Sequence, residues 1–218
     1  MKKLTNNTEY IQKLIAEGEH DHQDFKFEIS DARKIAKSFS AFANTKGGRL
    51  LVGVKDNGKI TGVRSEEEIY MIQAAASMYC QPKISIETKQ FYVEGKTVLE
   101  VDIGESPVKP IYALDEQNKP WAYVRIKDEN IQATIVHLKV WQQTKAPEGT
   151  LVTFTEKEEL LLNELKEKGR ISLSQCCKLC KLNRQKATDL LADFIRFGII
   201  SPIFIDRHFI YEWNKKEF

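Results

Sequence analysis

"SAFANTKGGRLLVGVKDNGKITGV", Ser40 to Val63, is the stretch whose reading decides the fold. Its opening continues a helical pattern in which Ile35, Phe39 and Phe42 recur on one face. Gly47-Gly48 must stop that helix and feed a strand at once, which needs backbone freedom that glycine supplies cheaply. "RLLVGV" then reads as a buried strand. "KDNG" turns the chain, Asn57-Gly58 being a strong turn signal, and "KITGV" is expected to return as the hairpin partner. A helix delivered into a sheet in this way defines an α+β order.

The surrounding sequence extends that order. Thr8 to Ala16 carries Tyr10, Ile11, Leu14 and Ile15 at helical spacing, and Gly18 ends the run. Gln23 to Ile29 alternates as an edge strand, with Phe25, Phe27 and Ile29 on one face and Asp24, Lys26 and Glu28 on the other. Ser30 or Asp31 caps the helix that follows. Downstream, Ser65-x-x-Glu68 forms a capping box for a helix running to about Met78. Strands Ile84–Val93 and Thr97–Ile103 flank a Glu94-Gly95 turn, "WAYVRI" is one more strand, and Ile131 to Trp141 reads as a helix. Residues 1–143 thus form a mixed-sheet domain.

Residues 144–152, polar with Pro and Gly close together, read as a linker. In 153–218, Thr155-x-x-Glu158 caps a helix with Leu160, Leu161 and Leu165 as its stripe. Helices over Ser172–Leu179 and Asn183–Phe197 follow, then "IISPIFI" and "HFIYEW" as a hairpin. Three helices and a hairpin are the order of a winged helix-turn-helix domain.

Composition bounds the function without naming it. With 218 residues, 42% hydrophobic and 29% charged, the chain is an ordinary globular protein. No apolar run of about 18 residues predicts a membrane span. "MKKLTNNTEY" has no apolar stretch behind its lysines, so no signal peptide is expected and the cytoplasm is the default compartment. Cys176, Cys177 and Cys180 are too crowded for a disulfide framework. The net charge of +2 announces no nucleic-acid partner, so any such contact must rest on a local patch.

The central string resembles the Schlafen-type, AlbA-like DNA-binding domain family. The matching residues are Glu19, Asp24-Phe25-Lys26, Ala41 to Thr45, Gly47-Gly48, Gly53-Val54, Asp56, Gly58 and Gly62, with "KPIY" and "AYVRI" resembling the distal strands. The resemblance spans roughly residues 8 to 143 and implies a compact α+β nucleic-acid-binding fold. Bacterial members are mostly regarded as DNA-binding regulators, and many carry a C-terminal winged helix like the one read here. In animal Schlafen proteins related domains form an endoribonuclease with three catalytic carboxylates. Carried across, these fall on Glu19, Asp24 and Asp56, which would also be ligands for Mg²⁺ or Mn²⁺. The family's usual glutamate is Asp24 here, one methylene shorter, which would loosen a site shaped for glutamate. An ATP-binding label attached to some relatives has no support, because no G-x-x-x-x-G-K-[ST] loop exists.

Each candidate has a bland alternative. Asp24 and Lys26 could pair on an exposed face while Asp56 serves as a turn residue. His20 and His22 alternate with Asp24, a spacing that zinc would accept but that solvent-facing histidines share. Asn44, Thr45 and Lys46 could hydrogen-bond a phosphate, though Lys46 also suits a helix C-terminus. Arg125 and Lys127, with Arg64, are read as a basic rail against simple surface solvation. Cys177-x-x-Cys180 lacks a second ligand pair and reads as helix packing. In the last helix, Asn183, Arg184, Gln185 and Lys186, with Lys181 ahead, combine cations with base-reading amides, and Arg207 and His208 sit at the hairpin tip. The expectation is a DNA-binding transcriptional regulator that needs no cofactor and touches no membrane. RNA binding, homodimerisation, a metal-dependent endoribonuclease and a non-catalytic assembly module are the alternatives.

Overall fold

The computed structural model describes residues 2–143 and 155–214, with side chains from residue 7 onward. It divides into two compact units, Met1–Gln132 and Ala133–Phe218. The linker expected at 144–152 lies outside the described residues. No helix among the described residues is long and apolar enough to cross a membrane.

The first unit runs α1 (Lys2–Glu17), β1 (Gln23–Lys26), α2 (Ala32–Asn44), β2 (Gly48–Val52), α3 (Glu66–Ser77), β3 (Cys80–Gln81), β4 (Ile86–Val93), β5 (Lys96–Ile103), β6 (Tyr112–Leu114), β7 (Pro120–Ile126) and β8 (Glu129–Gln132). It contains two four-stranded sheets, ordered β1-β2-β5-β4 and β3-β6-β7-β8. β1 and β2 are parallel with α2 as their crossover, and the remaining pairs are antiparallel. Pleating sends successive residues of β2 and β5 to opposite faces. Leu50, Val52, Leu99, Val101 and Ile103 therefore bury against Phe39 and Phe42 of α2 and Ile72 of α3. Leu51 and Val98 face the other way and pack with Ile11 and Leu14 of α1. The stripe read from Ile35, Phe39 and Phe42 is fully interior.

Four local expectations are corrected. "KITGV" contributes only a single bridge, Val54 to Ile60, and the antiparallel partner of β2 is β5. The reason is a close crossing: a Cβ on Gly53 would lie 2.7 Å from the carbonyl carbon of Gly62, so the loop closes on itself instead of running as a ladder. β1 stops at Lys26 rather than Ile29, because Gly53 N and Val54 N bond to the Lys26 carbonyl as the neighbouring chain turns away. Residues 131 and 132 end β8, and the helix after them starts at Ile135. Ser65 does stand at the N-cap of α3, but its side chain makes no cap bond. Glu68 turns elsewhere, its carboxylate accepting from Arg64 N at 2.7 Å and Ile29 N at 2.9 Å.

The second unit runs α4 (Ile135–Gln143), α5 (Glu156–Lys168), β9 (Arg170–Ile171), α6 (Leu173–Leu179), α7 (Arg184–Arg196), β10 (Ile200–Ile205) and β11 (His208–Trp213). The antiparallel sheet is ordered β10-β11-β9. Thr155 and Ser172 complete capping boxes with Glu158 and Gln175, and Asn183 caps α7 by accepting from Lys186 N. Leu161, Leu165, Leu190, Leu191 and Phe194 fill the core, with Cys176 and Cys180 packed among them as free thiols. Leu160, placed in the stripe by spacing, is instead 47% exposed, and Ile195 is only partly buried. Val136 of α4 is buried in this same core, so α4 belongs with these helices.

Candidate nucleic-acid interface

The short segment between α1 and β1 brings Glu19 and Asp24 together. Asp24 lies on β1 yet is only 3% exposed. The exposed Asp24–Lys26 pair expected from alternation is therefore corrected: Lys26 Nζ does sit 2.9 Å from Asp24 Oδ2, but over a buried carboxylate. Arg125 Nη2 approaches Asp24 Oδ1 at 3.5 Å, and Ser38 Oγ donates to Oδ2 at 3.3 Å. Glu19 hydrogen-bonds to Asp24 and accepts from Phe25 N at 2.8 Å. Desolvation, then the proton shared with Asp24, push the Glu19 carboxyl up to about 7. Burial opposes the charge of Asp24, but the Glu19 proton and the charges of Lys26 and Arg125 outweigh it and hold that carboxyl below its usual range. Below about pH 7 the pair carries one negative charge, compensated by Lys26 and Arg125.

Asp56 does not join them. It is exposed on the 55–58 turn, and among the described residues no three His, Cys, Asp or Glu side chains are placed to hold a metal. His20 and His22 contact one another edge-on, His22 Nδ1 facing the Gly47 carbonyl at 3.3 Å. Glu19 and Asp24 are two of the three carboxylates the resemblance implies, and Lys26 and Arg125 already stand against Asp24.

Two residues expected on the surface are structural. Arg125 is 3% exposed. Its fork reaches the Gln23 carbonyl at 3.0 Å, the His20 carbonyl at 3.4 Å and Asn130 Oδ1 at 3.0 Å, over the ring of Phe42. It cannot form a rail with Lys127, because the chain turns there: Lys127 has φ 55 and its N–H is held by Asp21 Oδ1. Asn44, 4% exposed, donates to the carbonyls of Ile111 (2.8 Å) and Tyr123 (3.0 Å) and accepts from Ile111 N (2.8 Å). It binds the end of α2 to the second sheet rather than to a phosphate. Thr45 donates to Ala41 O and accepts from Arg125 N, while Lys46 remains exposed.

What the first unit does offer outward lies beside Lys26. Phe27 has Lys55 Nζ at 4.7 Å and Arg64 Cζ at 4.6 Å from its ring centroid. Arg64 also pairs with Glu28 at 2.8 Å. Lys55 went unnoticed in the sequence because it looked like one more turn residue. Phe27 was placed on one face with Phe25 and Ile29, and the early end of β1 at Lys26 is what separates it from them.

In the second unit Lys181, Arg184, Gln185, Lys186 and Arg207 are all exposed. Beyond its first turn, α7 is less open. Gln185, Asp189 and Asp193 follow one another at a spacing of four along one face. Asp189 is paired with Lys139 of α4 at 2.7 Å, and Asp193 accepts from Gln143 at 3.1 Å. A groove of about 490 Å³ remains between α4 and the start of α7, lined by Ile135, Leu138 and Gln142 with Arg184, Gln185 and Thr188. The most open part of α7 is its N-terminal turn.

The α+β order, the parallel β1–α2–β2 crossover and the Glu19–Asp24–Lys26 cluster define one kind of domain. The Schlafen, AlbA_2 family matches residues 19–134, and the chain belongs to it. The structure of the DIP2311 protein from Corynebacterium diphtheriae aligns with TM-score 0.49 and 17% identity over 96% of this chain, which spans 38% of that protein's chain. The N-terminal domain of a protein from Nitrosomonas europaea, described as related to the ATP-dependent DNA helicase RecG, aligns with TM-score 0.43 and 21% identity. That alignment takes in 69% of this chain and 95% of that one. A comparison with curated proteins finds no match.

Proposed function

We propose that this protein binds nucleic acid and acts as a DNA-binding transcriptional regulator, with the second unit working as a winged helix-turn-helix. The observation that carries the reading is the first turn of α7, where Arg184, Gln185 and Lys186 stand exposed on a helix fixed by the Asn183 cap. Two cations and an amide at a helix N-terminus supply phosphate contact and base reading together. Lys181 and Arg207 flank the contact as phosphate ligands. Membership of the Schlafen, AlbA_2 family supports nucleic-acid binding in general. With about four phosphates neutralised, the log of duplex affinity falls with log salt at a slope of about −3.6. Replacing Arg184 and Lys186 with alanine should flatten that slope by about 2. A gel shift in which the double variant binds duplex DNA as the parent does, at every salt concentration, removes α7 from the contact.

A second reading, a Mg²⁺- or Mn²⁺-dependent endoribonuclease, rests on the Glu19–Asp24 pair and its shared proton. Its third carboxylate, Asp56, is exposed on a turn, and the donor set does not close. Incubating structured RNA with the protein and Mn²⁺, with EDTA and Asp24→Ala as controls, separates the readings. Intact RNA retires the nuclease.

A further inference from the structure

Phe27 is half-buried, and the segments around it are firmly held. Glu68, 4% exposed, uses one carboxylate oxygen on Ile29 N and the other on Arg64 N. That buried carboxylate fixes the chain just past Phe27 against the backbone of Arg64. Lys55 is fixed independently. Its loop is closed by Gly53 O accepting from Thr61 N at 2.8 Å and Gly62 N at 2.9 Å, and Lys55 N bonds to Lys59 O at 3.0 Å. Three separate segments thus bring one phenyl ring and two cations to one spot.

We infer that Phe27, flanked by Lys55 and Arg64, is a stacking platform for an unpaired base of a single-stranded nucleic acid. This rests on the reading of the chain as a nucleic-acid-binding protein and assigns the first unit a ligand different from the duplex proposed for α7. A base offers a flat π-face, and the phosphates on either side of it offer negative charge. The ring and its two cations match both. Arg64, planar and already over the ring, gives way to an incoming base and exchanges its pair with Glu28 for the adjacent phosphate. A base buried in a duplex stack cannot make this exchange without being unpaired first, which favours single strands. Lys26, beside the ring in sequence and 34% exposed at its side chain, extends the cationic edge toward Asp24.

The test uses the full chain and fluorescein-labelled 20-mers of one mixed sequence as single-stranded DNA, single-stranded RNA and duplex DNA, read by anisotropy. Phe27→Leu keeps the bulk and removes the ring. It should weaken binding of the single strands about tenfold and leave the duplex within about twofold, the size of a surface substitution's effect. Phe27→Trp should bind single strands at least as tightly as the parent, and it guards against a leucine variant that folds poorly. Lys55→Gln should lower the single-strand salt slope by about 0.7. The DNA and RNA arms identify which polymer is held. Single-strand affinity unchanged by Phe27→Leu, or reduced by Phe27→Trp, overturns the platform while leaving the α7 reading intact. Failure of the parent to bind any single strand overturns it too. Loss of duplex binding in the Arg184 and Lys186 double variant is a separate readout belonging to α7.

Discussion

Removing the Arg125 guanidinium separates two accounts of the first unit. If Arg125 were one rung of a surface rail, Arg125→Ala would weaken nucleic-acid binding and leave stability within about 0.5 kcal/mol. Its burial predicts the reverse. Asp24, itself 3% exposed, would lose one of its two cations, and the carbonyls of His20 and Gln23 would lose the guanidinium and keep only the backbone bonds they make to each other. Breaking a buried pair costs about 3–5 kcal/mol. Lys26 still stands 2.9 Å from Asp24, so the lower end applies, about 3 kcal/mol. Arg125→Lys keeps the charge but not the fork, and should lie between the alanine variant and the parent. The assay is urea unfolding followed by Trp121 fluorescence in a background of Trp141→Phe and Trp213→Phe, so that only the first unit reports. A loss below about 1 kcal/mol for Arg125→Ala would refute the buried-strut account.

The pH response should differ between the units. Glu19 titrates at about 7 when folded against 4.5 otherwise, so its contribution is complete below pH 4.5 and disappears as pH rises through about 7. Burial instead pushes His137 down from 6.5 to about 4, so the second unit weakens as pH falls through that window. Between pH 5 and 7 the two unfolding transitions should therefore move in opposite directions, and Glu19→Gln should flatten the first unit's. Parallel movement of the two would show that the carboxyl or the imidazole is wrongly placed. Asn44→Ala should cost the first unit about 2–4 kcal/mol, since the Ile111 N–H and the Tyr123 carbonyl lose the amide while the Ile111 carbonyl keeps only Ser40, read by the same tryptophan. A variant as stable as the parent would mean the amide does not hold the second sheet.

Local chemistry was legible and long-range compensation was not. Thr155, and Asp31 as one of two candidates, announced their helices because a cap needs only the next three residues, and the helix starts read at Ser172 and Asn183 prove to be caps as well. The β4–β5 hairpin was equally readable from Glu94-Gly95, both residues taking positive φ. Arg125 was misread because its partner carbonyl on Gln23 lies 102 residues away, and alternation along β7 says which face it occupies but not what covers that face. Glu68 fitted the capping-box pattern, yet a buried carboxylate takes whichever N–H groups the fold leaves unpaired. The Glu19–Asp24 contact was signalled by the family motif. The role of Phe27 depended on where β1 ends, and a period of two cannot locate that.

The seat that α4 takes on α7 determines where this protein can be divided. A fragment beginning at residue 153 would strip away Val136, baring apolar area on α7, and would leave Asp189 without Lys139 and Asp193 without Gln143. Such a piece would carry an unpaired Asp189, an Asp193 held by Arg196 alone, and a sticky flank prone to self-association. Cutting ahead of Ala133 keeps the helix with its partners and is the split that should yield a well-behaved fragment.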